Sequence, residues 1–236
     1  MKTVSFFPTE YFSSKGDVIM FEYLRLLNIL SGYRTREGFL AYVNHNSPFS
    51  YEKKQGIILA YEQMERQFDG VRRESGGPYM DHLRTVATIE MVHLEVVDAD
   101  EVIAALLHDA TEHFPETWPN RRVWEEYGSQ VAYLVDVMSK PSGMSGETEE
   151  ERIRKYHERF RTAGREAVRL KMCDWMHNIL TLIYCAPEKQ RRKWFEALQY
   201  ALPRAFEQDV LYRELWTALY SPVLFAFCPV PGPHRP

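Results

Sequence analysis

Residues 106–114 read Leu-Leu-His-Asp-Ala-Thr-Glu-His-Phe. This stretch closes an apolar run, because residues 102–107 read Val-Ile-Ala-Ala-Leu-Leu. A run of this kind is typical of a helix that is buried in a protein core. Polar side chains at the end of a buried helix need hydrogen-bond partners, a path to the surface or a ligand. His108 and Asp109 therefore lead to the hypothesis of a metal ion inside a helical core.

Helical periodicity dominates the rest of the chain, and no series of alternating apolar and polar residues indicates strands. The predicted fold class is all-α. Capping patterns support two helix starts, Asp98 with Glu101 and Thr148 with Glu151. The predicted helices cover 18–31, a short segment within 35–50, 51–68, 81–95, the segment from Asp98 into the quoted stretch, 121–140, the segment after Thr148, 165–184 and roughly 188–219.

The composition is that of an ordinary globular protein, with 236 residues of which 45% are hydrophobic and 26% are charged. The net charge of −4 provides no broad basic field for nucleic acid or for a membrane surface. The 3 cysteines are too few for a disulfide framework or a cysteine-rich zinc site. Because we find neither an apolar stretch of about 18 residues nor a signal peptide, we expect a soluble, cytoplasmic protein.

Two further helices carry polar residues on otherwise apolar faces. His82 shares a face with Val86 and Ile89 at positions i, i+4 and i+7, so we expect it at the head of an inward stripe. Asp174 lies in residues 170–180, Leu-Lys-Met-Cys-Asp-Trp-Met-His-Asn-Ile-Leu, where apolar side chains cover the other sides of the helix. A buried carboxylate has to be paired or bound to a metal.

These positions together form a candidate metal site of imidazoles and carboxylates: His82, His108, Asp109 and Asp174. Mixed nitrogen and oxygen ligands suit Mn²⁺, Fe²⁺, Co²⁺, Ni²⁺ or Zn²⁺, and the lack of thiolate argues against a structural zinc site. A metal ion of this kind turns its bound water into a nucleophile near neutral pH. Glu112 lies one turn beyond the His-Asp dipeptide, where it could orient or deprotonate that water.

The order His82, His108-Asp109, Asp174 resembles the signature of HD-domain metal phosphohydrolases. Four blocks resemble, more specifically, the hydrolase domain of RelA/SpoT-type guanosine tetra- and pentaphosphate enzymes. They read R-R-E-S-G-G-P-Y-M-D-H from residue 72, L-L-H-D-A-T-E from 106, Y-G-S-Q-V-A-Y-L-V-D-V-M-S-K from 127 and K-M-C-D-W-M-H-N-I-L-T-L from 171. At this length we expect no synthetase or regulatory domain, so the chain is most similar to the small stand-alone hydrolases.

The resemblance implies an HD-domain helical bundle and a Mn²⁺-dependent hydrolase that removes pyrophosphate from a ribose 3′ position. It implies that the four residues above hold the metal and that Glu112 is the catalytic acid. It also implies that Arg73 lies along the base, with Asn178 and Thr181 near the nucleoside. Two more residues are candidates for the site. One is His113, which follows Glu112 in the sequence, and the other is Lys140, which could reach a phosphate.

Three positions depart from the family's pattern. His113 stands where the family has an aspartate, Glu74 stands where a basic residue often follows the site arginine, and Phe68 stands in place of a histidine. The first two positions are where a polyphosphate would be handled. Because Glu74 adds negative charge there, we predict weaker use of guanosine tetraphosphate than a standard family member shows.

We predict a helical N-terminal extension at residues 1–50, an HD-type phosphohydrolase domain at 51–222 and a proline-rich tail at 223–236. The favoured function is hydrolysis of a guanosine 3′-pyrophosphate. Two alternatives stay open: a phosphatase of another nucleotide, such as a nucleoside monophosphate or a phosphorylated dinucleotide, and a catalytically silent nucleotide-binding module. We interpret His93 and His177 as core residues, the latter with a supporting contact to the site. The oligomeric state is left open.

Overall fold

The computed structural model describes residues 16–140 and 147–220. Its helices are α1 (Gly16–Gly32), α2 (Arg36–His45), α3 (Tyr51–Gln67), α4 (Tyr79–Thr88), α5 (Ala99–Leu107), α6 (Ala110–His113), α7 (Asn120–Tyr127), α8 (Ser129–Met138), α9 (Glu149–Thr162), α10 (Arg165–Leu180), α11 (Pro187–Glu196), α12 (Leu202–Gln208) and α13 (Tyr212–Leu219). A π-helical turn follows α4 (Ile89–His93), another follows α11 (Ala197–Ala201), and a 3₁₀ turn follows α10 (Leu182–Tyr184). These two ranges contain no strand, which confirms the predicted all-α fold.

Helix α5 lies at the centre of the core because it is apolar on nearly every side. All of its residues except Asp100 are buried, and it packs against α3, α4 and α8. Helix α10 is the second buried helix, and it packs against α4, α5, α8 and α13. The predicted burial of both segments is confirmed. Their packing brings the ends of α5 and α10 next to the start of α4.

One of the two predicted capping boxes is complete. The Thr148 hydroxyl accepts from the Glu151 backbone N–H at 3.2 Å, and the Glu151 carboxylate accepts from the Thr148 N–H at 2.9 Å. At the start of α5 only Asp98 acts as a cap. The Glu101 side chain instead turns inward and accepts from Arg169 Nε at 2.9 Å. A buried carboxylate is stabilised more by a cation than by a backbone amide, which explains the difference.

Two predicted helices are in fact divided. The predicted helix 121–140 consists of α7 and α8, which meet at Gly128 with φ 89° and ψ 176°, a conformation that favours glycine. The predicted helix 188–219 consists of α11, a π-helical turn, α12 and α13. Asp209 and Leu211 adopt left-handed conformations, with φ 52° and 53°, between α12 and α13. These breaks let α13 fold back onto α1 and α10.

The predicted N-terminal extension is joined to the body, because α1 packs against α13 and against the π-helical turn after α4. Residues 1–15 of this extension and the predicted proline-rich tail at 223–236 lie outside the described residues. Among the helices of residues 16–140 and 147–220, none combines the length and the apolar character needed to cross a membrane.

Candidate metal centre

A tight turn leads into the first side of the site. The Arg72 guanidinium donates two hydrogen bonds to the Gly76 carbonyl oxygen, at 3.0 and 2.6 Å, and Gly76 has a φ of 93° that suits glycine. Pro78 then precedes α4. His82 follows in the first turn of α4 and is only 1% exposed, so its predicted inward position is confirmed.

The His-Asp dipeptide lies in the break between α5 and α6. His108 follows the last residue of α5, and Asp109 precedes the first residue of α6. The Nδ1 atom of His108 lies 2.8 Å from the carbonyl oxygen of Ala105, so Nδ1–H donates to that oxygen. The lone pair of the neutral ring is then on Nε2, which is the atom available to a metal.

Asp174 is buried on α10, and cationic and amide groups hold both of its oxygens. Lys171 Nζ donates to Oδ2 at 2.8 Å, and Asn178 Nδ2 donates to Oδ1 at 2.6 Å. Lys171 also donates to the Tyr156 hydroxyl at 2.8 Å. Burial disfavours the charged carboxylate, but Lys171 and His82 outweigh this effect and hold the pKa of Asp174 well below its ordinary value.

Three of the four predicted ligands, His82, His108 and Asp109, form one compact cluster, and Asp174 lies beside the two histidines. His82 Nε2 lies 3.2 Å from His108 Nε2, 3.5 Å from Asp109 Oδ2 and 3.3 Å from Asp174 Oδ1. His108 Nε2 lies 3.3 Å from Asp109 Oδ2 and 3.9 Å from Asp174 Oδ1. Adjacent ligand atoms that are each about 2.1 Å from one ion lie about 3.0 to 3.4 Å apart. The spacing of His82, His108 and Asp109 therefore fits donors around a single cation, and Asp174 Oδ1 lies next to the two histidines.

The electrostatics of the cluster also fit a cation. Burial opposes the ionised form of Asp109, yet the neighbouring His108 and His82 rings hold the pKa of Asp109 well below its ordinary value. Asp109 and Asp174 are thus carboxylates in a poorly solvated cluster, where negative charge requires compensation. Lys171 contacts Asp174, whereas the direct contacts of Asp109 are with the two imidazoles and the Tyr79 phenol. The nitrogen and oxygen donors suit a divalent first-row metal.

Two neighbours hold the cluster in place, and the sequence had indicated only one of them. The Tyr79 hydroxyl, which sequence reasoning missed, donates to Asp109 Oδ2 at 2.7 Å. The sequence did contain a signal for Tyr79, because it lies three residues before His82 and therefore on the same face of the helix. His177 Nδ1 lies 2.7 Å from His82 Nδ1, and burial together with His82 and Arg73 holds the pKa of His177 well below its ordinary value. The neutral His177 ring can therefore accept from His82 Nδ1–H, which leaves His82 Nε2 facing the cluster.

Three residues that the resemblance associates with the nucleoside lie together. Arg73 Nη2 donates to Asn178 Oδ1 at 2.5 Å, and Arg73 Nη1 donates to Thr181 Oγ1 at 3.3 Å. The same Nη1 lies 3.2 Å from His177 Nδ1. The guanidinium is therefore held against the end of α10, next to the cluster.

Glu112, His113 and Lys140 lie on another side of the cavity. Lys140 Nζ donates to Glu112 Oε1 at 2.9 Å. The residue predicted as the catalytic acid and the residue predicted to reach a phosphate therefore form an ion pair. The His113 ring packs edge-on against Tyr79 and Phe68, with centroids 4.5 and 5.6 Å apart. Two of the three departures from the family's pattern, at positions 68 and 113, are thus in contact with one another.

One cavity of about 210 Å³ is lined by every predicted site residue, namely Arg73, His82, His108, Asp109, Glu112, His113, Lys140, Asp174, Asn178 and Thr181. His93 lies elsewhere, buried and 2.7 Å from Glu214 Oε1, so its interpretation as a core residue is confirmed.

The fold and the site define a helical protein with a buried cluster suited to a divalent cation. Residues 60–199 match the model of the HD domain, which is more than half of the chain, so the chain belongs to the HD-domain family. The match spans α4, α5, α6 and α10, which carry the cluster.

Curated relatives match the same part of the chain. A guanosine-3′,5′-bis(diphosphate) 3′-pyrophosphohydrolase from Haemophilus influenzae is 35% identical over 152 residues, which are 63% of this chain and 21% of that protein. The bifunctional (p)ppGpp synthase/hydrolase SpoT of Escherichia coli is 31% identical over 155 residues, which are 64% of this chain and 21% of that protein. The chain thus spans about a fifth of the length of these relatives.

A solved structure shows the same fold. It belongs to a metazoan ortholog of SpoT that hydrolyzes ppGpp and plays a role in starvation responses. The TM-score is 0.61 at 20% sequence identity, and the match covers 76% of this chain and 97% of that one. At this identity the likeness concerns the arrangement of the helices.

Proposed function

We propose that this chain is a divalent-metal-dependent phosphohydrolase that removes pyrophosphate from the 3′ position of a guanosine nucleotide. The observation that carries the proposal is the cluster of His82, His108 and Asp109, with Asp174 Oδ1 at 3.3 and 3.9 Å from the two histidines, inside a cavity that Arg73 also lines. Support for the substrate class comes from the activities for which the Haemophilus and Escherichia relatives are named. Mn²⁺ is the proposed metal because oxygen and imidazole ligands suit it.

Each part of the cavity has a role in this proposal. The four clustered residues would hold the cation, which supplies charge stabilisation to phosphoryl oxygens and makes a nearby water more acidic. Glu112 would accept or donate a proton at that water or at the leaving ribose oxygen, since its carboxylate lies one turn beyond Asp109. Lys140, which contacts Glu112, would neutralise the reacting phosphates.

The nucleoside would be held at the other end of the cavity. Arg73 presents a planar guanidinium that can stack on a purine base. Its bonds to Asn178 and Thr181 fix its orientation, and the two side chains offer further donors and acceptors to the ribose. This arrangement would bring the ribose 3′ oxygen next to the cluster and keep the base away from it.

A nucleotide panel with defined metals tests the proposal. The protein, freed of metal and then supplied with Mn²⁺, Mg²⁺ or Zn²⁺, is incubated with guanosine 3′,5′-bisdiphosphate, guanosine 3′-diphosphate, nucleoside monophosphates and a phosphorylated dinucleotide. Phosphate and pyrophosphate release are measured separately, with Asp174→Asn as the control. Metal-dependent pyrophosphate release from the guanosine 3′ position, lost in Asp174→Asn, is the expected result. Phosphate release from a monophosphate would favour the phosphatase alternative, and binding without turnover would favour the silent module.

A further inference from the structure

Five cations line the cavity along the described residues, and they differ in how firmly they are held: Arg73, Lys140, Lys171, Lys189 and Lys193. Arg73 bonds to side chains of α10, and Lys171 lies buried between Asp174 and Tyr156. Lys193 Nζ donates to the buried Glu196 at 2.7 Å. These three ammonium or guanidinium groups are therefore fixed by partners within the body of the protein.

Lys189, near the start of α11, has a different kind of partner. It forms an ion pair with Glu74, which lies in the exposed turn between Arg73 and Gly76. The Glu74 side chain is 55% exposed and that of Lys189 is 29% exposed. An ion pair in such contact with water contributes little to stability, so a ligand can take the place of one partner at small cost. Lys189 is therefore a cation that the cavity can present to an incoming anion.

The position of Lys189 indicates which anion this would be. Its partner Glu74 directly follows Arg73, so the pair lies at the nucleoside end of the cavity. The Lys140–Glu112 pair lies at the other end, because Glu112 is one turn beyond Asp109. A nucleoside whose 3′ group faces the cluster and whose base lies near Arg73 directs its 5′ carbon away from the cluster. A 5′-phosphate there would need a cation other than the metal.

We propose that Lys189 binds the 5′-phosphate group of the substrate and that Glu74 is its counter-ion in the free protein. The inference rests on the proposed function and narrows it to nucleotides that carry anionic groups at both the 3′ and the 5′ position. It also changes the interpretation of Glu74. From the sequence alone, Glu74 was interpreted as a repulsive charge facing a polyphosphate. As the counter-ion of Lys189, it would instead weaken the use of tetraphosphate by competing with the 5′-phosphate for that cation.

The test compares two substrates that differ only at the 5′ position, guanosine 3′,5′-bisdiphosphate and guanosine 3′-diphosphate with a free 5′-hydroxyl. Lys189→Gln should raise KM for the first about tenfold more than for the second, with a much smaller change in kcat, because a hydrogen bond from a cation to phosphate is lost. Lys53→Gln is the matched control, since Lys53 forms an exposed ion pair with Asp100 outside the cavity.

Glu74→Gln gives an independent readout. Removing the competing carboxylate should lower KM for the 3′,5′-bisdiphosphate by about threefold, and this gain should vanish in the Glu74→Gln/Lys189→Gln double variant. A merely structural role of the ion pair would predict equal effects of each substitution on both substrates.

The outcomes separate this inference from the proposed function. If the wild-type protein hydrolyses both guanosine nucleotides and Lys189→Gln alters their KM values equally or not at all, Lys189 does not bind the 5′-phosphate and the hydrolase proposal stands. If the wild-type protein hydrolyses neither, the hydrolase proposal fails. Calorimetric binding of the same two nucleotides then decides the inference: Lys189→Gln must weaken binding of the 5′-phosphorylated one selectively, and equal binding by variant and wild type would overturn it.

Discussion

His82 and His108 show how single hydrogen bonds prepare imidazole rings for a metal. The Ala105 carbonyl oxygen accepts from His108 Nδ1, and His177 Nδ1 lies within hydrogen-bond distance of His82 Nδ1. The Ala105 carbonyl can only accept, so it places the His108 proton on Nδ1. A neutral His177 ring that accepts from His82 would do the same for His82, and Nε2 would then carry the lone pair in both rings. The two Nε2 atoms are 3.2 Å apart, so both face the same point. Partners outside the cluster thus set the donor character of the site.

Glu112 gives a prediction that separates chemistry from metal binding. Glu112→Gln should lower kcat about 10²-fold, because an amide neither donates nor accepts the proton that a carboxyl group transfers. Metal binding, measured by calorimetry with Mn²⁺, should be retained, since Glu112 pairs with Lys140 and not with the clustered ligands. Glu116→Gln, an exposed position in the following loop, is the control. Full turnover of Glu112→Gln would assign the proton transfer to another group.

Glu90 gives a pH prediction. It is fully buried, and within the described residues neither carboxylate oxygen has a hydrogen-bond partner. Burial, followed by the charge of Glu101, raises the pKa of Glu90 well above its ordinary value. The folded protein therefore retains a proton that the unfolded chain releases, and this lowers stability as pH rises from the ordinary carboxyl pKa towards the raised one.

Replacing Glu90 by Gln removes the ionisation while keeping the shape of the side chain. The free energy of unfolding of Glu90→Gln minus that of wild type should increase from pH 5 to pH 8, because wild type loses stability over this range and the variant does not. Urea titrations at the two pH values measure it. A difference between variant and wild type that stays constant with pH would show that Glu90 ionises in the folded protein as it does in the unfolded chain.

At the scale of elements, the break between α7 and α8 depends on one backbone conformation. Gly128 has φ 89° and ψ 176°, and a Cβ there would meet no atom within 4 Å. The demand for glycine is therefore conformational and not a matter of space. Gly128→Ala should lower the free energy of unfolding by about 1–3 kcal/mol.

Gly56 provides the matched comparison in the interior of α3. Its added Cβ would meet only Ile103 Cδ1, at an ordinary contact distance of 3.4 Å. Gly56→Ala should raise the free energy of unfolding by about 0.5–1 kcal/mol, because alanine favours the helix. Denaturant unfolding of both variants checks that one free energy of unfolding falls and the other rises. An unchanged free energy of unfolding for Gly128→Ala would refute the conformational explanation of the break.

At the scale of the whole molecule, a metal at the cluster would connect α4, the α5–α6 junction and α10. A ligand that binds only the folded state at about 100 times its Kd adds about 2.7 kcal/mol, which corresponds to a rise in Tm of roughly 5–10 °C for a protein of this size. Mn²⁺ should produce such a rise, and a chelator should reverse it. The same measurement on Asp174→Asn is the control: an equal rise there would place the metal elsewhere.

Much of the fold and of the candidate site was predictable because it depends on local patterns. Helical periodicity reports which face is apolar, so the burial of 102–107 and the inward position of His82 followed from neighbouring residues alone. The capping box at Thr148 is local for the same reason. The division of 121–140 at Gly128 was missed, because residues that form a helix lie on both sides of the glycine.

The helical class and the residue types that a cation would contact follow from short-range spacing along helices, so both could be inferred from the order of residues. Tertiary structure alone decided which distant groups meet. Glu74 and Lys189 are 115 residues apart, and His82 and His177 are 95 apart. Glu101 was predicted to cap α5, but its side chain accepts a hydrogen bond from Arg169 on another helix. No local pattern encodes such pairs, since burial and charge compensation act only once the helices have packed.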